Sequence, residues 1–411
     1  MRITYFHYLY DEPSGLLHVN QFADAARVLG HEVHVHALNL APHDGSGIGT
    51  PQATRLWLKQ RLSRYLHEPK EILWNPRYVA RELAIVRAER PDVVLVREHH
   101  LTCAEVLVRR WTGVPLVLEV NAPADESATY FDEFAHLPGA GWFTERLKLR
   151  NADRIVVVSD ALRRFLAKTH GVALDRIVAN HNGADCERFR PAVDGGEVRQ
   201  RYELGDDVVV GLVASLQPWH GPDFIKHLLA ALAPETARFL MVGRGPGWLP
   251  LRQWVETHGW ASRVVFAGGL DHADVPKHVA AMDIALVPEA GFYQSPLKVF
   301  EYMAAGRAIV APAYDPLREV VRDGVDGLLF APRDAPSATA AIRKLAGDVA
   351  LRQRLGINAR QRVTSAFTWQ HNAQRVIDAC SAAIAKQGAA GSWFTHGRQS
   401  VAATERPRED T

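Results

Sequence analysis

Short apolar runs recur along this chain, each bounded by a turn signal and followed by a segment with helical spacing. In the first half they are RITYF (2–6), VHVHAL (33–38), DVVLV (92–96), PLVLEV (115–120), RIVVVS (154–159) and RIVAN (176–180). Continuous Val/Ile/Leu runs of this length suit strands buried on both faces, as in a parallel sheet. Between them the spacing turns helical. In VNQFADAARVLG, Phe22, Ala26 and Leu29 share a face and Gly30 ends the helix. The pattern then starts again with VVVGLVAS (208–215), RFLMVG (238–243), RVVFAG (263–268), DIALVP (283–288), AIVAP (308–312) and GLLF (327–330). Two rounds of strand and helix predict an α/β chain of two doubly wound, Rossmann-like domains facing a central cleft. A length of 411 residues, too long for one core, agrees.

The Pro/Gly breaks of RFRPAVDGGE (188–197) mark the expected linker, placing the domains at 1–190 and 198–366. Residues 367–386 contain one amphipathic helix, WQHNAQRVIDACSAAIAK. The small, polar segment 387–411 is expected to be disordered. The 48 basic and 46 acidic residues nearly cancel, which argues against a broad nucleic-acid surface. Three dispersed cysteines, Cys103, Cys186 and Cys380, give no zinc or disulfide framework and suit a reducing compartment. The first residues lack a signal-peptide pattern, and no apolar run approaches the roughly 18–20 residues that span a bilayer. Cytoplasmic is the expected location.

Ligands of doubly wound folds bind at the carboxyl ends of the strands. There this chain places Ser14, Gly15 and His18; Glu119 and Asn121; Ser215, Gln217, Trp219 and His220; Gly243 and Gly245; and the loop PEAGFYQSPLKVFEYMAAG (288–306). Glycines at strand ends let backbone amides approach a phosphate, or simply make turns. Lys298 and Glu301 share a face if SPLKVFEYMAA is helical. A lysine in the first turn opposes the helix dipole, so it is either compensated by an anionic ligand or paired with Glu301. No metal-ligand cluster stands out.

These residues resemble the large retaining glycosyltransferase family numbered four, of the GT-B fold. The resemblance is carried by GHEV (30–33), ADRIVVVSDALR (152–163), NGAD (182–185) with Phe189 and Pro191, VGRGP (242–246), VVFAG (264–268) and SPLKVFEYMAAGRAIVAP (295–312), in the family's order over residues 1–386. VLEVNAP (117–123) and SLQPWHG (215–221) resemble a subgroup of bacterial surface polysaccharide or glycolipid synthesis. The resemblance implies transfer of a sugar from a nucleotide-diphosphate-sugar co-substrate to a polysaccharide or lipid-linked glycan, with retention and without metal or other cofactor. It implies that Glu301 holds the donor ribose, that Lys298 faces the diphosphate, and that Gly291, Phe292, Tyr293, Ser295, Pro296 and Leu297 cradle donor sugar and diphosphate. It also implies that Gly15 closes on the diphosphate and that the final helix crosses back to the first domain.

Two departures leave alternatives open. Tyr293 stands where the family usually has a sugar-binding glutamate, and Gln217 with Trp219-His220-Gly221 replaces the usual Arg and Lys-Gly phosphate clamp. A catalytically impaired nucleotide-sugar-binding protein, or an epimerase or hydrolase on the same fold, therefore stays open. His220 would donate a hydrogen bond, as a cation if its pKa is raised, or would pack against Trp219. Glu119 and Asn121 are candidates for acceptor-side contacts, with local pairing of Glu119 the alternative. Finally, residues 55–66 join Arg55, Lys59, Arg61 and Arg64 to Trp57, Leu58, Leu62 and Tyr65. Such a helix either lies on the inner face of an anionic membrane or packs with a solvated basic face.

Overall fold

A computed structural model describes residues 1–9, 13–39, 53–124, 137, 139–232 and 237–399. The first six strands are β1 (Arg2–His7), β2 (Glu32–Ala37), β3 (Val93–Arg97), β4 (Leu116–Val120), β5 (Arg154–Val157) and β6 (Ile177–Ala179). The second six are β7 (Val209–Val213), β8 (Arg238–Val242), β9 (Val264–Gly268), β10 (Ile284–Leu286), β11 (Ala308–Pro312) and β12 (Leu328–Phe330). Each falls on one of the runs read from the sequence.

All strand pairings are parallel, in the orders β2-β1-β3-β4-β5-β6 and β12-β11-β10-β7-β8-β9. The reasons are local. Every residue of β4 and of β11 is buried, as a strand covered on both faces must be, whereas edge strand β2 reads EVHVHA with both ends exposed. Each sheet is sandwiched between two apolar clusters. The strand order reverses beside β1 and β3 in the first sheet and beside β7 and β10 in the second. Loops that diverge at such points open a crevice.

After β6 the chain passes to the second sheet, and near Thr368 it returns. The two passages pair, Ala184 N–H donating to the Phe367 carbonyl at 2.9 Å. Gly183 is required at this crossing, because a Cβ there would stand 2.7 Å from the Thr368 carbonyl carbon. The final helix lays Trp369, Ala373, Val376, Ile377, Cys380 and Ala383 into the apolar cluster of the first sheet. It spans Trp369–Gln399. That stretch is proline-free, and its glycines weaken a helix by only ~1 kcal/mol each. Residues 400–411 lie outside the described residues.

The helix Ala53–Glu89 contains the basic segment 55–66; its side chains, and with them the expected membrane contact, lie outside the described residues. Among the described residues no helix is long and apolar enough to cross a membrane.

Candidate functional site

The carboxyl ends of β7 and β10 meet in the second domain. The turn after β7 is a short 3-10 helix, Pro218–His220, closed by a reciprocal cap between Gln217 and His220. His220 Nδ1 accepts the Gln217 N–H at 3.1 Å. That bond assigns the ring proton to Nε2, leaving one donor to offer. Burial first, and Lys298 second, push the His220 pKa down to about 3. The imidazole is therefore neutral, so any hydrogen bond it donates is that of an uncharged ring. The ring also meets Trp219 at 5.9 Å, so packing and donation coexist.

Lys298 lies on the helix Leu297–Ala304, which begins at Pro296 with no side chain capping its amides. The Lys298 Nζ is buried and has no hydrogen-bond partner among the described residues. Burial pushes its pKa down to about 8, with Glu301 partly offsetting the effect. A buried ammonium without a partner is costly, and an entering anion would relieve it. Glu301 pairs with His272 Nε2 at 3.2 Å rather than with Lys298, so the intrahelical pair is not what forms. Glu289, at the end of β10, is engaged elsewhere. Its carboxylate faces Arg333 at 3.6 Å and accepts from Tyr314, whose hydroxyl is pushed up to about 12 by burial and by that bond. The two glutamates of this loop therefore belong to different environments.

Gly243 and Gly245 are explained by chain packing. A Cβ on either would fall 1.8 Å from the Ala214 carbonyl oxygen or 1.7 Å from that of Ser215, and both have positive φ. The loop after β8 thus lies against the end of β7, with Ser215 exposed. Gly15 and Ser14 sit in the first turn of the helix Pro13–Val28, not in a loop ahead of it, because Pro13 is pre-organised for that position.

The loop from Gly291 to Leu297 is held from both domains. Gly291 N–H donates to Gln294 Oε1 at 2.9 Å, so one expected phosphate-binding amide is already occupied. Phe292 meets Phe165 of the first domain at 5.3 Å. Tyr293 is only 4% exposed and joins the first domain's apolar cluster with Phe6, Tyr8 and Tyr78. Ser295 accepts the Asn182 N–H at its Oγ (3.2 Å) and the Asn182 Nδ2–H at its carbonyl (2.6 Å).

Glu119 and Asn121 stand together at the carboxyl end of β4. Glu119 is 4% exposed and takes hydrogen bonds from Tyr5 (2.6 Å), Arg97 (2.9 Å) and Asn121 (2.7 Å), with His18 Nε2 at 3.1 Å. Three of these donors meet Glu119 Oε1 and only Tyr5 meets Oε2, so the local pairing left open for this carboxylate is present. Sequence reading missed His272, Asn182, Ser159 and Glu319. Asn182 carried a signal in NGAD and Ser159 in ADRIVVVSDALR; His272 and Glu319 come from elements far apart in the chain. Among the described residues no group of three or more His, Cys, Asp or Glu side chains is placed to hold a metal.

The geometry has counterparts. The family model "Glycosyltransferase Family 4" matches residues 17–188, and "Glycosyl transferases group 1" matches 207–348. A D-inositol 3-phosphate glycosyltransferase of Nocardia farcinica is 28% identical over 319 residues, covering 74% of this chain and 68% of that one. An alpha-D-kanosaminyltransferase of Streptomyces kanamyceticus is 24% identical over 265 residues, 62% of this chain and 67% of that one. Among solved structures, Anabaena HepE in complex with UDP superposes with a TM-score of 0.71 at 18% identity, over 93% of this chain and all of that one.

Proposed function

The chain is a glycosyltransferase of the GT-B fold, and we propose that it moves a sugar from a nucleoside-diphosphate sugar to a polysaccharide or lipid-linked glycan, with retention and without metal. The observation that carries this reading is the buried Lys298 Nζ, without a hydrogen-bond partner among the described residues, at the N-terminal turn of a helix with no side-chain cap. A departing diphosphate brings negative charge to such a place, and preorganised positive groups stabilise it without reorganising. Neutral His220 adds an Nε2–H donor on the same side of the crevice. Glu301, held by His272, is the ribose ligand of this reading, its second oxygen left for the hydroxyls. A further support is the binding partner of a fold neighbour, HepE, which was solved with UDP and with UDP-glucose.

Calorimetry with UDP and GDP on the native chain and on Glu301→Ala tests the donor site. Strong binding by the native chain and at least about tenfold weaker binding by the variant are expected. Equal affinity in both would refute the assignment of Glu301. Incubation with nucleotide sugars, with and without glycan acceptors, then separates transfer from hydrolysis or epimerisation.

A further inference from the structure

A line of buried polar groups crosses from the first domain into the donor loop, and its hydrogen atoms can be counted. His18, on the helix Pro13–Val28, is 7% exposed. Its Nδ1 lies 2.8 Å from Asn182 Oδ1 and its Nε2 lies 3.1 Å from Glu119 Oε1. Asn182 cannot be turned the other way round. Its Nδ2 stands 2.6 Å from the Ser295 carbonyl oxygen, which only accepts, so the amide nitrogen must face Ser295 and the oxygen must face His18. Glu119 offers only acceptors while ionised. Burial alone would raise its carboxyl, but His18, and then Arg97, outweigh burial and hold it well below the usual carboxylate range. Both ring nitrogens of His18 therefore face acceptors. An imidazole with one proton would leave one contact between two lone pairs, at about 3 Å, inside the protein.

We propose that His18 is held as a buried imidazolium and is a positioning residue for glycosyl transfer, fixing the donor loop through the path Glu119–His18–Asn182–Ser295. The proposal deepens the transfer reading above and rests on it for its catalytic consequence. Ser295 precedes Pro296, the N-cap of the helix that carries Lys298 and Glu301. Orienting Ser295 thus sets where that helix begins relative to the first domain. The charges around His18 are consistent. Glu119 on β4 is shared with Arg97 on β3 and Tyr5 on β1. His7 on β1 is kept neutral, its pKa pushed down to about 4 by burial and by Arg97. The ring of Trp369, on the final helix, meets His18 edge-on at 5.5 Å and adds no charge. One anion thus faces two cations, and the neutral His7 avoids a third. Asn182 passes the constraint to the loop as a neutral donor.

The test has two parts that need no substrate. In the free, full-length protein, nitrogen-15 spectra of the histidine side chains, with His18 assigned by its loss in His18→Gln, should show both ring nitrogens protonated at neutral pH. Hydrogen exchange of the peptide spanning residues 291–298 should quicken in His18→Gln and in Asn182→Asp, with far-ultraviolet circular dichroism confirming that each variant folds. In UDP or GDP titrations each variant should bind at least about tenfold more weakly, and the double variant no more weakly than the worse single one, since both break one path. A spectrum with one unprotonated nitrogen, unchanged exchange over 291–298, or additive losses would each overturn the proposal. Failure of the native chain to bind either nucleotide would count instead against the transfer reading, because protonation and loop exchange are read in the free protein.

Discussion

The hydroxyl of Ser159 donates to the carbonyl of Tyr293 at 2.8 Å, while its oxygen accepts the N–H of Leu162 at 3.1 Å. One residue therefore caps the helix Asp160–His170 of the first domain and holds the donor loop of the second. Tyr293 follows the same direction and buries its ring in the first domain. Tyr293→Ala should cost about 3 kcal/mol in urea unfolding, as expected for emptying a buried aromatic site. Tyr293→Glu, which restores the residue usual in the family, should cost more, because it buries a carboxylate among apolar side chains. A glutamate variant as stable as the native chain would contradict the packing role.

Lys298 titrates in the opposite sense to a paired lysine. Its folded pKa is about 8, below the ordinary 10.5, so the unfolded chain holds more protons between those values. The Lys298 contribution to stability therefore rises with pH across that window and is at its least favourable below about pH 8. Lys298→Met should raise the melting temperature of the nucleotide-free protein at pH 7, and the advantage should shrink by pH 10. The same variant should abolish the rise in melting temperature that UDP or GDP gives the native chain. Differential scanning calorimetry at both pH values checks each point.

Glu319 joins the domains from the other side of the donor loop. From the helix Asp315–Val320 it accepts the N–H groups of Asp160 (2.9 Å) and Ala161 (3.2 Å), and it pairs with His181 Nε2 at 2.8 Å. A carboxylate of the second domain thus caps a helix of the first. Burial opposes the shift, but the His181 bond and the two amides hold its pKa below the usual range. A depressed carboxylate stabilises above its unfolded pKa and loses that stabilisation as pH falls through the folded value. Glu319→Ala should cost about 1 kcal/mol, as loss of a helix cap does, and should widen the scattering profile at neutral pH. Acidifying the native chain towards pH 3 should reproduce part of that widening.

His220 makes a simpler prediction. With its pKa near 3 it stays neutral through the physiological range, and its protonation belongs to acid unfolding. Its side-chain nitrogen signals should be unchanged from pH 5 to pH 8. A His220→Phe variant should keep its fold and lose transfer rate, since it lacks the Nε2–H donor, by at least about tenfold.

The strands were legible because burial on both faces writes itself as continuous Val/Ile/Leu, as in LVLEV of β4 and AIVAP of β11. The helix carrying Lys298 and Glu301 was legible from three-residue spacing behind a proline. The order of strands in each sheet was not legible, nor was the company each site residue keeps. Glu119 reads as a strand-end carboxylate, and nothing in PLVLEVN reveals that Tyr5, His18 and Arg97 will surround it. Tyr293 reads as a donor-loop residue, yet its environment is the core of a domain whose last strand ends more than a hundred residues earlier. Residue type and local spacing determine which elements form and which faces they bury, because those depend on neighbours along the chain. Tertiary structure alone decided which lysine is left without a partner among the described residues and which histidine is neutral. Desolvation and hydrogen-bond geometry are set by groups that meet only when the domains close.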